Sequence, residues 1–294
     1  MIVLKKELTE LQVELLEAYL ETQEEAFWIL EQKEPKDPFY LFGYFQSQEE
    51  AQAAYGALES DVDGLDCAVG FETLEDQDWK EAYKFHLKYW NYQTLHWIPL
   101  WEKEDRAAPE NEAYIYLDSG MAFGTGAHES TRLCAKRLVD FFNTKPDLKN
   151  CRVVDAGCGS GILALSARSL GFEQVSGFDF DPESVRIANE HNAFNEQLAD
   201  IPFAVGAVAE ALEASGADLL LVNIQTNVLV PQAQPTVAAV APGGMLALSG
   251  ILTKEIGEIK KAYFAEAEAL GKKIKTWDTR QDGQWSDALL EFEA

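Results

Sequence analysis

The chain has 294 residues, 47% of them hydrophobic, which is enough to bury one or two ordinary cores and suggests about two domains. Its 50 acidic against 24 basic residues leave a formal charge of -26, which repels nucleic-acid phosphates and either serves solubility or suits a basic partner. No run reaches the roughly 18 to 20 apolar residues that cross a bilayer, the start lacks a signal-peptide core, and the four cysteines and four histidines show no CxxC pair or metal-ligand spacing. The expectation is a cytoplasmic monomer with no membrane segment, no direct nucleic-acid contact, no disulfide and no metal.

Residues 1–75 read as a small α+β domain. Ile2-Val3-Leu4 starts a strand, and Leu8, Leu11, Leu15 and Leu16 recur at helical spacing. Ala26 to Leu30 and Phe39 to Phe45 are strand-like, Gln48 to Leu58 is helical, and Leu65 to Phe71 is a last strand. The order β-α-β-β-α-β is that of a ferredoxin-like fold. Residues 76–110 form a connector dense in aromatics (Trp79, Tyr83, Phe85, Tyr89, Trp90, Tyr92, Trp97, Trp101), carrying a short helix and a strand and best explained by packing between domains.

Residues 111–294 read as the larger domain. From Cys151 onward, strands at Arg152-Val153-Val154, Gln174 to Phe178, Phe203 to Val205, Asp218 to Val222 and Gly244 to Ser249 alternate with helices. Those helices span Ile162 to Leu170, Pro182 to Phe194, Val228 to Val240 and Lys254 to Leu270, and strands near Lys273 to Thr276 and Ala288 to Phe292 close the chain. Such alternation predicts a parallel, doubly wound sheet with helices on both faces.

In such sheets the ligand site lies where the first strand turns into the first helix, and Asp155-Ala156-Gly157-Cys158-Gly159-Ser160-Gly161 occupies that turn. A dinucleotide loop needs G-x-G-x-x-G, yet here Gly157, Gly159 and Gly161 alternate and Ile162 stands where the third glycine would be. Asp155 would repel a pyrophosphate but can pair with the α-amino group of a methionine moiety. Asp179, at the end of the second strand, can accept hydrogen bonds from ribose hydroxyls. The combination fits S-adenosylmethionine; the competing reading is a tight turn with acids that cap helices. Cys158 reads as a small loop residue.

A second glycine-rich loop, Asp118 to Gly126, leads into a helix whose start is signalled by Ser130 and Thr131. No lysine follows Gly126, which rules out a Walker loop. The helix N-terminus suits a carboxylate, and the loop, with Phe123 as a cofactor-binding candidate, could close over a ligand as a lid. His128 reads as a local hydrogen-bonding residue ahead of a general base.

The two loops together resemble those of the ribosomal protein L11 methyltransferase family, whose members carry LDPGLAFGTGTHPTT and GCGSGIL. The corresponding residues are Leu117 to Thr131 and Gly157 to Leu163, followed by Gly177-Phe178-Asp179-Phe180-Asp181-Pro182, Val222-Asn223-Ile224 and Gly243 to Leu252. The resemblance covers about residues 78 to 265. It implies a seven-stranded Rossmann-like class I methyltransferase domain whose cofactor site is lined by Thr131, Gly157, Asp179 and Asn223, with Asp155, Gly159 and Gly161 from the loop. It also implies that the acceptors are lysine side chains and the N-terminal amine of ribosomal protein L11, held by the N-terminal domain. Ser119, Ala127 and Glu129 depart from the family's proline, threonine and proline, which bears on lid geometry.

After Asn223 come Ile224-Gln225-Thr226, so the NPPY pattern of base and glutamine methylation is absent. Methyl transfer needs alignment more than acid-base help, and Asn223 is the candidate catalytic residue, orienting the amine or touching the cofactor. Alternatives are a lysine methyltransferase acting on another protein, a small-molecule methyltransferase, and a cofactor-binding module without activity.

Overall fold

The computed structural model describes residues 2–20, 28–32, 37–45, 47–62, 64–65, 69–73, 87–106, 110–118, 128–145, 147–212 and 216–294. They fall into two compact units, Met1–Phe85 and His86–Ala294.

The first unit runs β1 (Ile2–Leu8), α1 (Glu10–Leu20), β2 (Trp28–Glu31), β3 (Phe39–Phe45), α2 (Gln48–Asp61) and β4 (Gly70–Thr73). Its antiparallel sheet has the order β2-β3-β1-β4, a ferredoxin-like arrangement. The period-2 alternation of β1 puts Leu4 and Leu8 on the face covered by Leu16, Tyr55 and Leu58 of the helices. Helix α2 starts where Ser47 Oγ accepts a hydrogen bond from Glu50 N at 3.2 Å, with Glu49 and Glu50 favouring the positive helix end. Ala26 and Phe27, expected at the start of β2, lie outside the described residues, as do Trp79, Tyr83 and Phe85.

The second unit opens with a three-stranded sheet: β5 (Trp90–Tyr92) and β6 (Leu95–Pro99) form a hairpin, and β7 (Ala113–Leu117) runs parallel to β6. A 3-10 turn, Leu100–Glu102, follows β6. Trp97 is fully buried, stacks on Trp90 at 3.7 Å between centroids and donates from Nε1 to Ser166 Oγ at 2.9 Å. Trp90, Tyr92, Trp97 and Trp101 thus belong to the core of the second unit.

Helix α3 (Glu129–Thr144) precedes the doubly wound sheet, built from β8 (Arg152–Ala156), α4 (Ile162–Ser169), β9 (Gln174–Asp179), α5 (Pro182–Phe194), β10 (Phe203–Val205), α6 (Val208–Ala211) and β11 (Ala217–Asn223). It continues with α7 (Thr226–Leu229), α8 (Ala233–Ala239), β12 (Val240–Leu252), α9 (Ile256–Ala269), β13 (Ile274–Asp282) and β14 (Trp285–Phe292). The strand order is β10-β9-β8-β11-β12-β14-β13, parallel except for β14, which is antiparallel to both neighbours.

Both faces of the sheet are buried, so its central strands are apolar without alternation. Val153, Leu219 and Leu221 pack against α3 and α4, whereas Val154, Leu220 and Val222 pack against α8 and α9. Where the sequence suggests one helix from Val228 to Val240, the structure has α7 and α8, because Pro231 supplies no N–H for a continuous ladder. Among the described residues no helix is long and apolar enough to cross a membrane.

Candidate active site

The sheet order reverses between β8 and β11, and the carboxyl ends of β8, β9 and β11 bring Asp155, Asp179 and Asn223 to one edge. Leu221 pairs with Asp155, which sets Asn223 two residues beyond it on the adjacent strand.

The glycine loop is stapled to β9. The backbone N–H groups of Gly157 and Cys158 both donate to Phe178 O at 2.9 Å, and Gly159 N donates to Asp179 Oδ2 at 2.9 Å. The other Asp179 oxygen accepts from Asp181 N at 3.1 Å, so this one buried carboxylate registers the loop against the start of α5. Gly157 has φ 71, a left-handed conformation, and a Cβ there would lie 2.7 Å from Ile224 Cγ2. Gly161 caps α4 at φ 78, with Ala188 and Phe203 each 3.0 Å from where a Cβ would sit. Cys158 is buried in the turn; desolvation, reinforced by Asp155 and Asp179, pushes its thiol pKa up.

Asp155 is 1% exposed, and its Oδ2 accepts from Ala164 N in the first turn of α4 at 3.0 Å. Burial raises its pKa to about 7, with Asp179 adding and the Ala164 hydrogen bond opposing. The carboxylate thus ties β8 to the N-terminus of α4, the helix-capping contact that the competing reading of the sequence allowed.

On the far side of the edge, Asn223 Nδ2 donates to Thr131 Oγ1 at 3.1 Å, joining β11 to the first turn of α3. The cap of α3 is His128, whose Nδ1 accepts from Ser130 N at 3.3 Å. Ser130 and Thr131, expected to mark the helix start, lie inside its first turn. Burial lowers the His128 pKa, with Glu129 opposing, and the ring packs edge-on to Trp285. Ser249 Oγ donates to Ser130 O at 2.7 Å, so β12 also anchors this turn. Phe123, with Ser119, Ala127 and the rest of the expected lid, lies outside the described residues.

Asp155 Oδ1, Asn223 Oδ1 and Thr226 Oγ1 are buried with no hydrogen-bond partner among the described residues. A buried polar atom left unpaired costs about 1 to 3 kcal/mol, so this edge suits a ligand that brings donors. The α-ammonium of an amino-acid moiety brings three, and the residues fit S-adenosylmethionine on that ground. Ile224 was singled out with Asn223, whereas Thr226 was not among the candidate site residues; its signal is its place three residues after Asn223.

This strand order, its single antiparallel strand and the glycine loop at the switch point are those of the class I methyltransferase fold. Residues 6–286 match the ribosomal protein L11 methyltransferase family, and the chain belongs to that family. It is 38% identical to the ribosomal protein L11 methyltransferase of Pseudomonas fluorescens strain Pf-5 over 226 residues, 76% of this chain and 74% of the relative. Against that of Ectopseudomonas mendocina strain ymp, identity is 36% over the same shares. The crystal structure of ribosomal protein L11 methylase from Lactobacillus delbrueckii subsp. bulgaricus has the same fold, with a TM-score of 0.57 and 24% identity, covering 70% of this chain and 99% of that one.

Proposed function

We propose that this protein transfers methyl groups from S-adenosylmethionine to amines of ribosomal protein L11, its lysine side chains and N-terminal amine, in the cytoplasm. The observation that carries the reading is the pair of unpaired buried oxygens, Asp155 Oδ1 and Asn223 Oδ1, beside a glycine loop held by Asp179. Family membership supports the choice of substrate, and the charge of -26 suits a basic protein rather than a nucleic acid.

In this reading Gly157, Gly159 and Gly161 let the cofactor approach the backbone, and Asp179 takes the ribose hydroxyls on the lone pairs that Gly159 and Asp181 leave open. Asp155 and Thr131 face the amino-acid end, and Phe123 completes the cofactor-binding set. When bound, the cofactor would supply an electrophilic methyl group on a cationic sulfur, with a neutral thioether as the leaving group. Asn223, held by Thr131, accepts a hydrogen bond from the incoming amine and points its lone pair at the methyl carbon. A lysine amine, with an ordinary pKa of about 10.4, gives its proton to solvent before it reacts. Alignment, rather than a general base, lowers the barrier. Residues 1–75 hold the substrate protein, and residues 111–294, with the β5–β6 hairpin packed in the same core, carry out the transfer.

The test is to mix the enzyme, methyl-labelled S-adenosylmethionine and purified L11, then map the labelled peptides by mass spectrometry. Label on lysines or the N-terminus of L11 is expected; unlabelled L11 in the presence of bound cofactor would overturn the choice of substrate.

A further inference from the structure

Strand β7 is the edge of its sheet, and the edge it turns away from β6 is held by side chains. Ser169 Oγ donates to Tyr114 O at 2.8 Å. Asn195, on α5's C-terminal side, accepts from Tyr116 N at 2.7 Å and donates to Tyr116 O at 2.8 Å. Next along the same edge comes His191, which is 2% exposed. Its Nε2 accepts from Asp118 N at 3.3 Å, while its Nδ1 lies 2.8 Å from Ser160 O. A carbonyl oxygen only accepts, so Nδ1 carries the proton and the ring is neutral. This imidazole is therefore donor on one side and acceptor on the other, bridging the glycine loop and the chain as it leaves β7.

We propose that His191 is a positioning residue for the cofactor: through Ser160 it fixes the glycine loop, and through Asp118 it registers that loop against the carboxyl end of β7. This rests on the reading that the loop holds S-adenosylmethionine. A protonated ring would put an N–H on Nε2 against the Asp118 N–H, two donors facing each other, and the bridge would open. Burial lowers the His191 pKa, while the hydrogen bond to Ser160 and the charges of Asp118, just past β7, and Glu190 on α5 oppose that shift. The bridge is accordingly intact at neutral pH and is lost only on the acid side of an ordinary imidazole. Glutamine can reproduce both hydrogen bonds without titrating, and phenylalanine can fill the space with neither.

Calorimetry of S-adenosylhomocysteine binding to the full-length wild-type protein, His191→Gln and His191→Phe across acidic to neutral pH tests this. At neutral pH the glutamine variant should stay within about twofold of wild type and the phenylalanine variant should bind about tenfold more weakly. Wild type should show an acid-side loss of affinity that His191→Gln lacks, and any step common to both belongs to other groups such as Asp155. A phenylalanine variant that binds like wild type would overturn the proposal, and so would a His191→Gln profile that coincides with that of wild type across the whole pH range. If His191→Phe fails to fold, the comparison of wild type with His191→Gln still decides. Wild-type protein that does not bind at all would overturn the cofactor reading and this inference with it.

Discussion

Asp155→Asn is the most informative single change. Asparagine keeps an oxygen for Ala164 N but removes the buried charge. Raising the carboxyl pKa from 3.8 to about 7 makes the ionised form about 4 kcal/mol less favourable in the ligand-free protein than in the unfolded chain, at roughly 1.4 kcal/mol per tenfold. Because the folded state holds this proton more tightly, the stability it contributes is complete below about pH 4 and is lost as pH rises to about 7. The variant lacks that loss, so its stability relative to wild type should climb across this window by up to about 4 kcal/mol and then level off. Taking the difference between the two proteins removes the titration of the other 49 carboxylates among the 50 acidic residues. Urea unfolding at a series of pH values reads it. The same variant should bind S-adenosylhomocysteine at least about tenfold more weakly at pH 8, having lost a charge-assisted partner for the ammonium. A stability difference that is flat from pH 4 to 7 would refute the account of Asp155 as a buried carboxylate awaiting a cation.

Other changes separate fold from site. Arg137 is buried and bonds both oxygens of the fully buried Asp287, at 2.8 and 2.7 Å, docking α3 on β14. Arg137→Met should cost about 3 to 5 kcal/mol in urea unfolding, and adding Asp287→Leu should recover most of it, since the penalty lies in the charge left behind. Asp179→Ala removes the acceptor for Gly159 N and Asp181 N; S-adenosylhomocysteine affinity should fall about tenfold to a hundredfold in calorimetry while circular dichroism is unchanged. Asn223→Ala should lower kcat for methyl transfer about a hundredfold, with a smaller change in the KM for S-adenosylmethionine, because it misaligns the acceptor. Initial-rate kinetics measure that split.

Much of the fold was legible because its determinants are local. The strands β8, β9, β11 and β12 are apolar runs, and Gly157, Gly161 and Asp179 announce the turn and the acid by spacing alone. The last hairpin was read short. Strand β13 is a half-exposed edge whose Ile274-Lys275-Thr276-Trp277-Asp278-Thr279-Arg280 carries many polar residues, and β14 buries Ser286, which meets Thr253, and Asp287, which Arg137 meets from 150 residues away. The start of α3 was misplaced because histidine is an uncommon cap beside Ser130 and Thr131. The roles of His191, Asn195 and Thr226 depend on tertiary contacts that no periodicity encodes. Asp155 was expected to face the cofactor, with helix capping as the competing reading; its Oδ2 does bond the first turn of α4, while its Oδ1 has no partner among the described residues.

The central claim is that one protein among many basic ones is the substrate. Ribosomal extract from a host lacking this activity, incubated with the purified enzyme and labelled S-adenosylmethionine and resolved by mass spectrometry, tests it directly. The account predicts label on ribosomal protein L11 that disappears with Asn223→Ala; label on another protein or a metabolite, with L11 untouched, would contradict it.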